Sequence, residues 1–149
     1  MSSSSGSQQL PPPIPNKQGE PEFQLKLSHE YMIFPGATPG QPKNQLPSVE
    51  LIITNPTQDK HAIKVKCTSA ELFRVHPPMG VVAKGGQLSI RFFLQNKGRP
   101  PSSQMHYFAI YHTRCDAATT DTQSRYLWKG PLRFDGLKRL PVVFPSSAT

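Results

Sequence analysis

Hydrophobic and polar residues alternate along most of this chain, and the alternation predicts short β-strands. The cleanest run places Leu88, Ile90, Phe92 and Leu94 on one face and Ser89, Arg91, Phe93 and Gln95 on the other. That period of two is the signature of a half-buried strand. Phe23, Leu25 and Leu27 predict an earlier strand, and Tyr31 to Phe34 a short one ended by Pro35-Gly36. Val49, Leu51 and Ile53 point inward on a strand that stops at Asn55-Pro56, a turn signal. Further strands are predicted at His106 to His112 and Leu140 to Phe144. Pro35 to Pro47, Asn96 to Gln104 and Cys115 to Ser124 are polar and read as loops, and Tyr126 to Lys129 as a short strand or helical turn. No stretch sustains an apolar period of 3.6, so the expectation is seven or more strands, no helices and an all-β, immunoglobulin-like sandwich of two sheets.

The stretch from Ala62 to Val82 organises the rest. Ile63, Val65 and Cys67 face one way while Lys64 and Lys66 face the other. After a turn at Ser69 to Glu71, Leu72, Phe73 and Val75 lead into His76-Pro77-Pro78. Two consecutive prolines remove two backbone donors and force extended geometry on the residues before them, so no helix or central strand passes through. An edge strand that leaves one sheet, bends at Pro77 and Pro78 and joins another fits, with Met79-Gly80 supplying relaxed geometry beyond the bend. Such a corner tolerates a cis bond at Pro77. Lys84-Gly85-Gly86-Gln87 is a hairpin or sharp connection, since it lacks the spacing and the Lys-Ser/Thr of a phosphate loop.

These residues carry a resemblance. AIK, a Thr/Ser/Ala-rich turn and VHPPMGVV, with ITNPT at Ile53 to Thr57, WKG at Trp128 to Gly130 and LKRLPVVF at Leu137 to Phe144, resemble the major sperm protein domain. That family of immunoglobulin-like sandwiches includes nematode sperm cytoskeletal proteins and VAP-type endoplasmic-reticulum receptors. The resemblance spans about Gln24 to Phe144, and the basic pair followed by Leu-Pro is more like the sperm branch. It implies protein contacts without nucleotide or other cofactor.

Composition sets the surroundings. The chain has 149 residues, most simply one domain at 23–145 with a four-residue tail at 146–149. About 120 residues suffice to bury roughly two-thirds of the unfolded surface. Residues 1–22 are mostly Ser, Pro, Gln and Gly and read as a disordered, solvated leader. Two cysteines make no disulfide framework, no amino-terminal stretch looks like a secretory signal, and no apolar window is long enough to anchor the chain in a membrane. The expected setting is the cytoplasm and its cytoskeleton. A formal charge of +8 attracts acidic partners without naming them.

Chemistry finds little support. His106 and His112 would share a strand face but stand roughly 20 Å apart, too far for one metal. Gly-x-Ser-x-Gly, His-Glu-x-x-His and Cys-x-x-Cys are absent. Cys67, on the inward face, reads as a small core residue. The expectation is a protein that is not an enzyme and holds no metal.

Three binding readings follow. The first, implied by the resemblance, is a cytoplasmic nematode sperm protein that associates with major-sperm-protein filaments, or other proteins of that family, and stabilises or regulates them in amoeboid motility; exposed edge strands would also allow homo-oligomers. The second is a VAP-type receptor for acidic-aromatic peptides. Lys66 and Thr68, with Lys64 beside them, keep the family's groove pattern, while Lys-Phe-Met becomes Tyr107-Phe108-Ala109; Tyr111 lies on the same strand and Arg139 would supply a compensating charge. The third is nucleic-acid binding through Arg91, Phe92, Phe93, Lys97 and Arg99, and through Tyr107, Tyr111 and Arg114, disfavoured because Phe92 alternates as a core residue should.

Overall fold

The computed structural model describes residues 10–34, 47–95, 105–129 and 134–143. Its strands are β1 (Lys26–Leu27), β2 (Met32–Ile33), β3 (Ser48–Thr54), β4 (Lys60–Cys67), β5 (Phe73–His76), β6 (Met79–Val82), β7 (Gln87–Leu94), β8 (Tyr107–Cys115) and β9 (Gly136–Val143), with helix α1 (Asp121–Leu127) between the last two. One sheet runs β1-β3-β7-β5 and the other β2-β9-β8-β4-β6. All pairings are antiparallel except β2 with β9.

The expected two-sheet sandwich is what forms, and the alternation explains its core. Leu51 and Ile53 of β3, Ile63 and Val65 of β4, Ile90, Phe92 and Leu94 of β7, and Phe108 and Ile110 of β8 are buried between the sheets. Four aromatic rings tie the layers: Phe73 lies 4.9 Å from Phe108 and 5.7 Å from Phe34, and Phe92 lies 4.4 Å from Phe108. Each such side chain contributes roughly 1.5–3 kcal/mol on burial.

The central stretch behaves as its prolines require. Strand β5 pairs with β7 in one sheet, the chain bends at Pro77-Pro78 with a cis His76-Pro77 bond, and β6 pairs with β4 in the other. The Pro78 carbonyl accepts from the Val65 N–H at 2.9 Å. Gly80 plays a different part from the one expected. Its backbone is not left-handed; a Cβ there would meet Leu88 Cδ2 at 3.2 Å, so the glycine makes room for β7. Gly85, with φ of 71°, does use the left-handed region, in a tight turn that carries the chain from β6 back to β7.

Two expectations need correction. The absence of helices does not hold, because Thr120 caps α1: its side chain accepts from the Gln123 N–H and the Gln123 side chain accepts from the Thr120 N–H. The helix displays no apolar stripe because Ser124 is its one buried residue. The described part of residues 1–22 also departs from a solvated leader. Ile14 bridges Arg139, Glu22 bridges Leu137, and Glu20 forms an ion pair with Arg139. The expected tail at 146–149 lies outside the described residues.

Candidate protein-binding surface

Register places the predicted contact residues on one surface, the outer face of the five-stranded sheet. Lys66 stands opposite Ala109, which stands opposite Arg139; one row along, Lys64 stands opposite Tyr111. Thr68 follows the end of β4, where its hydroxyl meets His106 Nδ1 at 2.9 Å and accepts from the Tyr107 N–H. Every residue named for this surface, Lys64, Lys66, Thr68, Tyr107, Ala109, Tyr111 and Arg139, is therefore brought together.

The cations of this face lie over aromatic rings. Lys64 Nζ is 6.0 Å from the Trp128 ring centre, Lys66 Nζ 5.5 Å from that of Tyr111, and the Arg139 guanidinium 5.8 Å from that of Tyr107. Burial, with Lys66 adding repulsion, pushes the Lys64 ammonium below its usual range. Burial likewise raises the Tyr111 phenol.

Arg139 does not supply a free charge. Its guanidinium is buried and donates two 2.8 Å hydrogen bonds to the carboxylate of Glu20, held there by a turn in which Glu20 N–H meets the Lys17 carbonyl. These bonds and the Lys17 N–H hold the Glu20 carboxyl at about 2. Residues 14–22 run beside the first half of β9, and β2 covers its second half. At the other end of the sheet Asp121 of α1 accepts from the Val81 N–H of β6. The edges of this sheet are therefore the two-residue β2, flanked along β9 by residues 14–22, and the four-residue β6, one of whose N–H groups is answered by α1.

The four-stranded sheet is more open. Among the described residues no strand pairs with the outer edge of β5. A groove of about 600 Å3 crosses its outer face, lined by Glu50, Arg74, His76, Pro77, Arg91 and Phe93 among others. Arg91 is 3.8 Å from Glu50, whereas Arg74 is exposed. The proposed stacking platform for nucleic acid is not assembled: Phe92 is buried, Arg91 and Phe93 belong to this face, and Tyr107 and Tyr111 belong to the other sheet. Lys97 and Arg99 lie outside the described residues.

Sequence spacing along single strands missed a histidine pair. His61 of β4 and His112 of β8 are both buried, with their Nδ1 atoms 3.1 Å apart, and His112 Nε2 accepts from the Gln24 N–H at 3.0 Å. Burial, then repulsion from His61, lowers His112 to about 4, and burial also lowers His61. Both stay neutral at pH 7. The alternation that buries Ile63 with His61 was the available signal. Among the described residues no group of three or more His, Cys, Asp or Glu side chains is arranged to hold a metal. Burial raises the thiols of Cys67 and Cys115, away from reactive thiolate.

Comparison with known proteins agrees with this architecture. Residues 25–129 match the model of the MSP (major sperm protein) domain. The Caenorhabditis elegans protein R05D3.5 is 34% identical over 151 aligned positions, covering 89% of this chain and 82% of the relative. A second protein of that nematode, ZC262.1, is 42% identical over 101 positions, covering 67% and 73%. Among solved structures, WR4, a C. elegans MSP family member, superposes with a TM-score of 0.61 at 16% identity over 81% of this chain and 97% of WR4. The chain belongs to the major sperm protein domain family.

Proposed function

We propose that this protein is a non-enzymatic, filament-associated member of its family, which binds major-sperm-protein filaments in the cytoplasm of nematode sperm and stabilises or regulates them in amoeboid motility. The match over residues 25–129, to a family named for the sperm protein, is the observation that carries this reading. The two relatives come from a nematode, the kind of source this reading requires. Geometry favours the four-stranded sheet as the contact. The edges of the five-stranded sheet are short, β2 having two residues and β6 having α1 beside it, while the outer face of the other sheet presents Arg74, Arg91 and a half-buried Phe93 beside the open edge of β5. The peptide-receptor reading is weakened because Glu20 already neutralises Arg139.

Cosedimentation of the full chain with assembled major-sperm-protein filaments tests the reading. Pelleting that is lost in Arg74→Glu and Arg91→Glu but kept in Lys66→Glu is expected. Loss in Lys66→Glu alone would move the contact to the five-stranded sheet. Absence of pelleting by the unaltered chain would overturn the filament role itself.

A further inference from the structure

Residues 10–18, Leu-Pro-Pro-Pro-Ile-Pro-Asn-Lys-Gln, run along the domain outside every strand and helix, touching the sheet ladder only at the isolated Ile14 bridge. Their prolines dictate their shape. Each one fixes its own φ at about −65° and holds the residue before it extended, which confines 11–15 to a polyproline II helix of three residues per turn. That period sorts the side chains onto edges. Pro11 and Ile14 share one edge, Pro12 and Pro15 a second, and Pro13 and Asn16 the third. The first edge faces the domain: both residues are half-buried, the Pro11 carbonyl accepts from the Tyr31 hydroxyl at 2.9 Å, and Ile14 bridges Arg139. The second edge faces solvent, with Pro12 and Pro15 exposed and Lys17 exposed two places beyond. Covering β9 makes use of Pro11, Ile14 and Glu20 and leaves Pro12, Pro15 and Lys17 without a task.

Two prolines three apart, followed after one further residue by a lysine, are the P-x-x-P-x-Lys order. Grooves lined by aromatic rings read such segments, and a carboxylate at the end of the groove answers the ammonium. A segment already held in the polyproline II form loses little conformational freedom on docking. We propose that residues 11–17 are a docking peptide for a proline-reading domain of the SH3 type, and that their contact with β9 masks it. The groove takes two edges of the helix, Pro12 and Pro15 together with Pro11 and Ile14. Since the second pair lies against the sandwich, the segment has to lift from β9 to be read in full. Glu20 restrains it: one carboxylate accepts from the Lys17 N–H at 2.7 Å and from the Arg139 guanidinium, tying the end of the motif to the sheet. This site lies apart from Arg74 and Arg91 and does not depend on the filament role.

Titration of the full-length protein, and of a blocked peptide of residues 10–18, into a panel of isolated SH3 domains that take P-x-x-P-x-Lys or P-x-x-P-x-Arg ligands tests the proposal. Saturable binding of both to at least one domain is expected, with the peptide binding more tightly. Pro12→Ala, Pro15→Ala and Lys17→Glu should each weaken binding roughly tenfold, while Pro13→Ala, on the third edge, and Arg74→Glu, on the other sheet, should change it far less. All five side chains are exposed, and unfolding curves separate lost binding from lost structure. Glu20→Gln should bring the affinity of the full chain towards that of the peptide. Failure of every domain to bind peptide and protein, or equal weakening by Pro13→Ala and Pro12→Ala, would overturn the docking peptide. Binding of the peptide alone, with Glu20→Gln as inert as the unaltered chain, would overturn its use in the folded protein. Equal affinities of peptide, full chain and Glu20→Gln would overturn the masking.

Discussion

Glu20 and Arg139, 119 residues apart in the chain, meet through two parallel hydrogen bonds of 2.8 Å each. This fork-to-fork geometry is the strongest form of an ion pair between side chains. It secures a segment that otherwise touches β9 through isolated bridges at Ile14 and Glu22 and through the Leu137 N–H, which donates to the Pro21 carbonyl. Glu20→Gln should therefore release residues 14–22 while leaving the sandwich folded. Amide exchange at Leu137 is expected to accelerate strongly in the variant, with that of Ile63 unchanged. Equal protection of Leu137 in both proteins would show that the ion pair does not hold the segment. The acid response has a defined sign. The folded carboxyl titrates at about 2 against an ordinary 4.5, so the contact contributes fully above 4.5 and is lost as pH falls through about 2.

The His61 and His112 pair makes stability depend on pH in a milder range. His112 is a base whose folded value, about 4, lies below its ordinary 6.5, because burial and the neighbouring His61 disfavour the imidazolium. Below 6.5 the unfolded chain takes up a proton that the folded chain refuses. Stability from this group is therefore complete above pH 6.5, falls as pH drops, and levels off below about 4. At about 1.4 kcal/mol for each unit between the two values, the loss is on the order of 3 kcal/mol. Urea unfolding at pH 7 and pH 4.5 measures it, and His112→Gln should flatten the dependence. A wild-type free energy constant across that interval would contradict the buried, neutral assignment.

The strands were legible because each long one buries a single face, so the chain writes its core every second residue, as in Leu51 and Ile53 or Ile90 and Phe92. The strand switch was legible because Pro77 and Pro78 leave the chain little else to do. Helix α1 was not read, although Thr120 and Gln123 carry a capping-box spacing; a seven-residue helix that buries Ser124 has too little apolar surface to show a period. The amino-terminal contact had no local signal at all. Glu20 finds Arg139 through tertiary structure, and a Ser/Pro-rich composition says nothing about a distant guanidinium. The candidate surface came through family resemblance, and register then explains why Lys66, Ala109 and Arg139 are neighbours. His61 and His112 were missed because spacing within one strand is silent about a diagonal neighbour on the next.

Asn55, fully buried at the end of β3, holds the turn region together from both ends of its side chain. Its amide donates to the Asp59 carbonyl at 2.7 Å and the Val82 carbonyl at 3.1 Å, and its oxygen accepts from the Thr57 N–H and hydroxyl. Its backbone also pairs with Gly85 and Gly86, joining the β3 end to the β6–β7 turn. Asn55→Ala takes the acceptor from the Thr57 N–H and a donor from the buried Val82 carbonyl, while the Asp59 carbonyl keeps the Thr57 hydroxyl, and should cost about 3 kcal/mol. Chemical denaturation is the check, and a loss below about 1 kcal/mol would mean that water replaces the side chain.

Gly136 is required by close approach rather than by backbone angle. A Cβ there would collide with His112 Nε2 and Cε1 and would lie 2.7 Å from the Glu22 carbonyl oxygen. That imidazole nitrogen is the acceptor of the Gln24 N–H, so the methyl would displace the ring and open a hydrogen bond at once. Gly136→Ala should destabilise the fold by about 2–4 kcal/mol, combining overpacking with a lost buried hydrogen bond. The mechanism makes a further demand. If the clash with the ring is the cause, the same substitution in a His112→Ala background, where the ring is gone, should cost less by at least about 1 kcal/mol, a coupling of the size that contacting residues show. Additive losses in the four unfolding measurements of that cycle would place the cost at the Glu22 backbone instead.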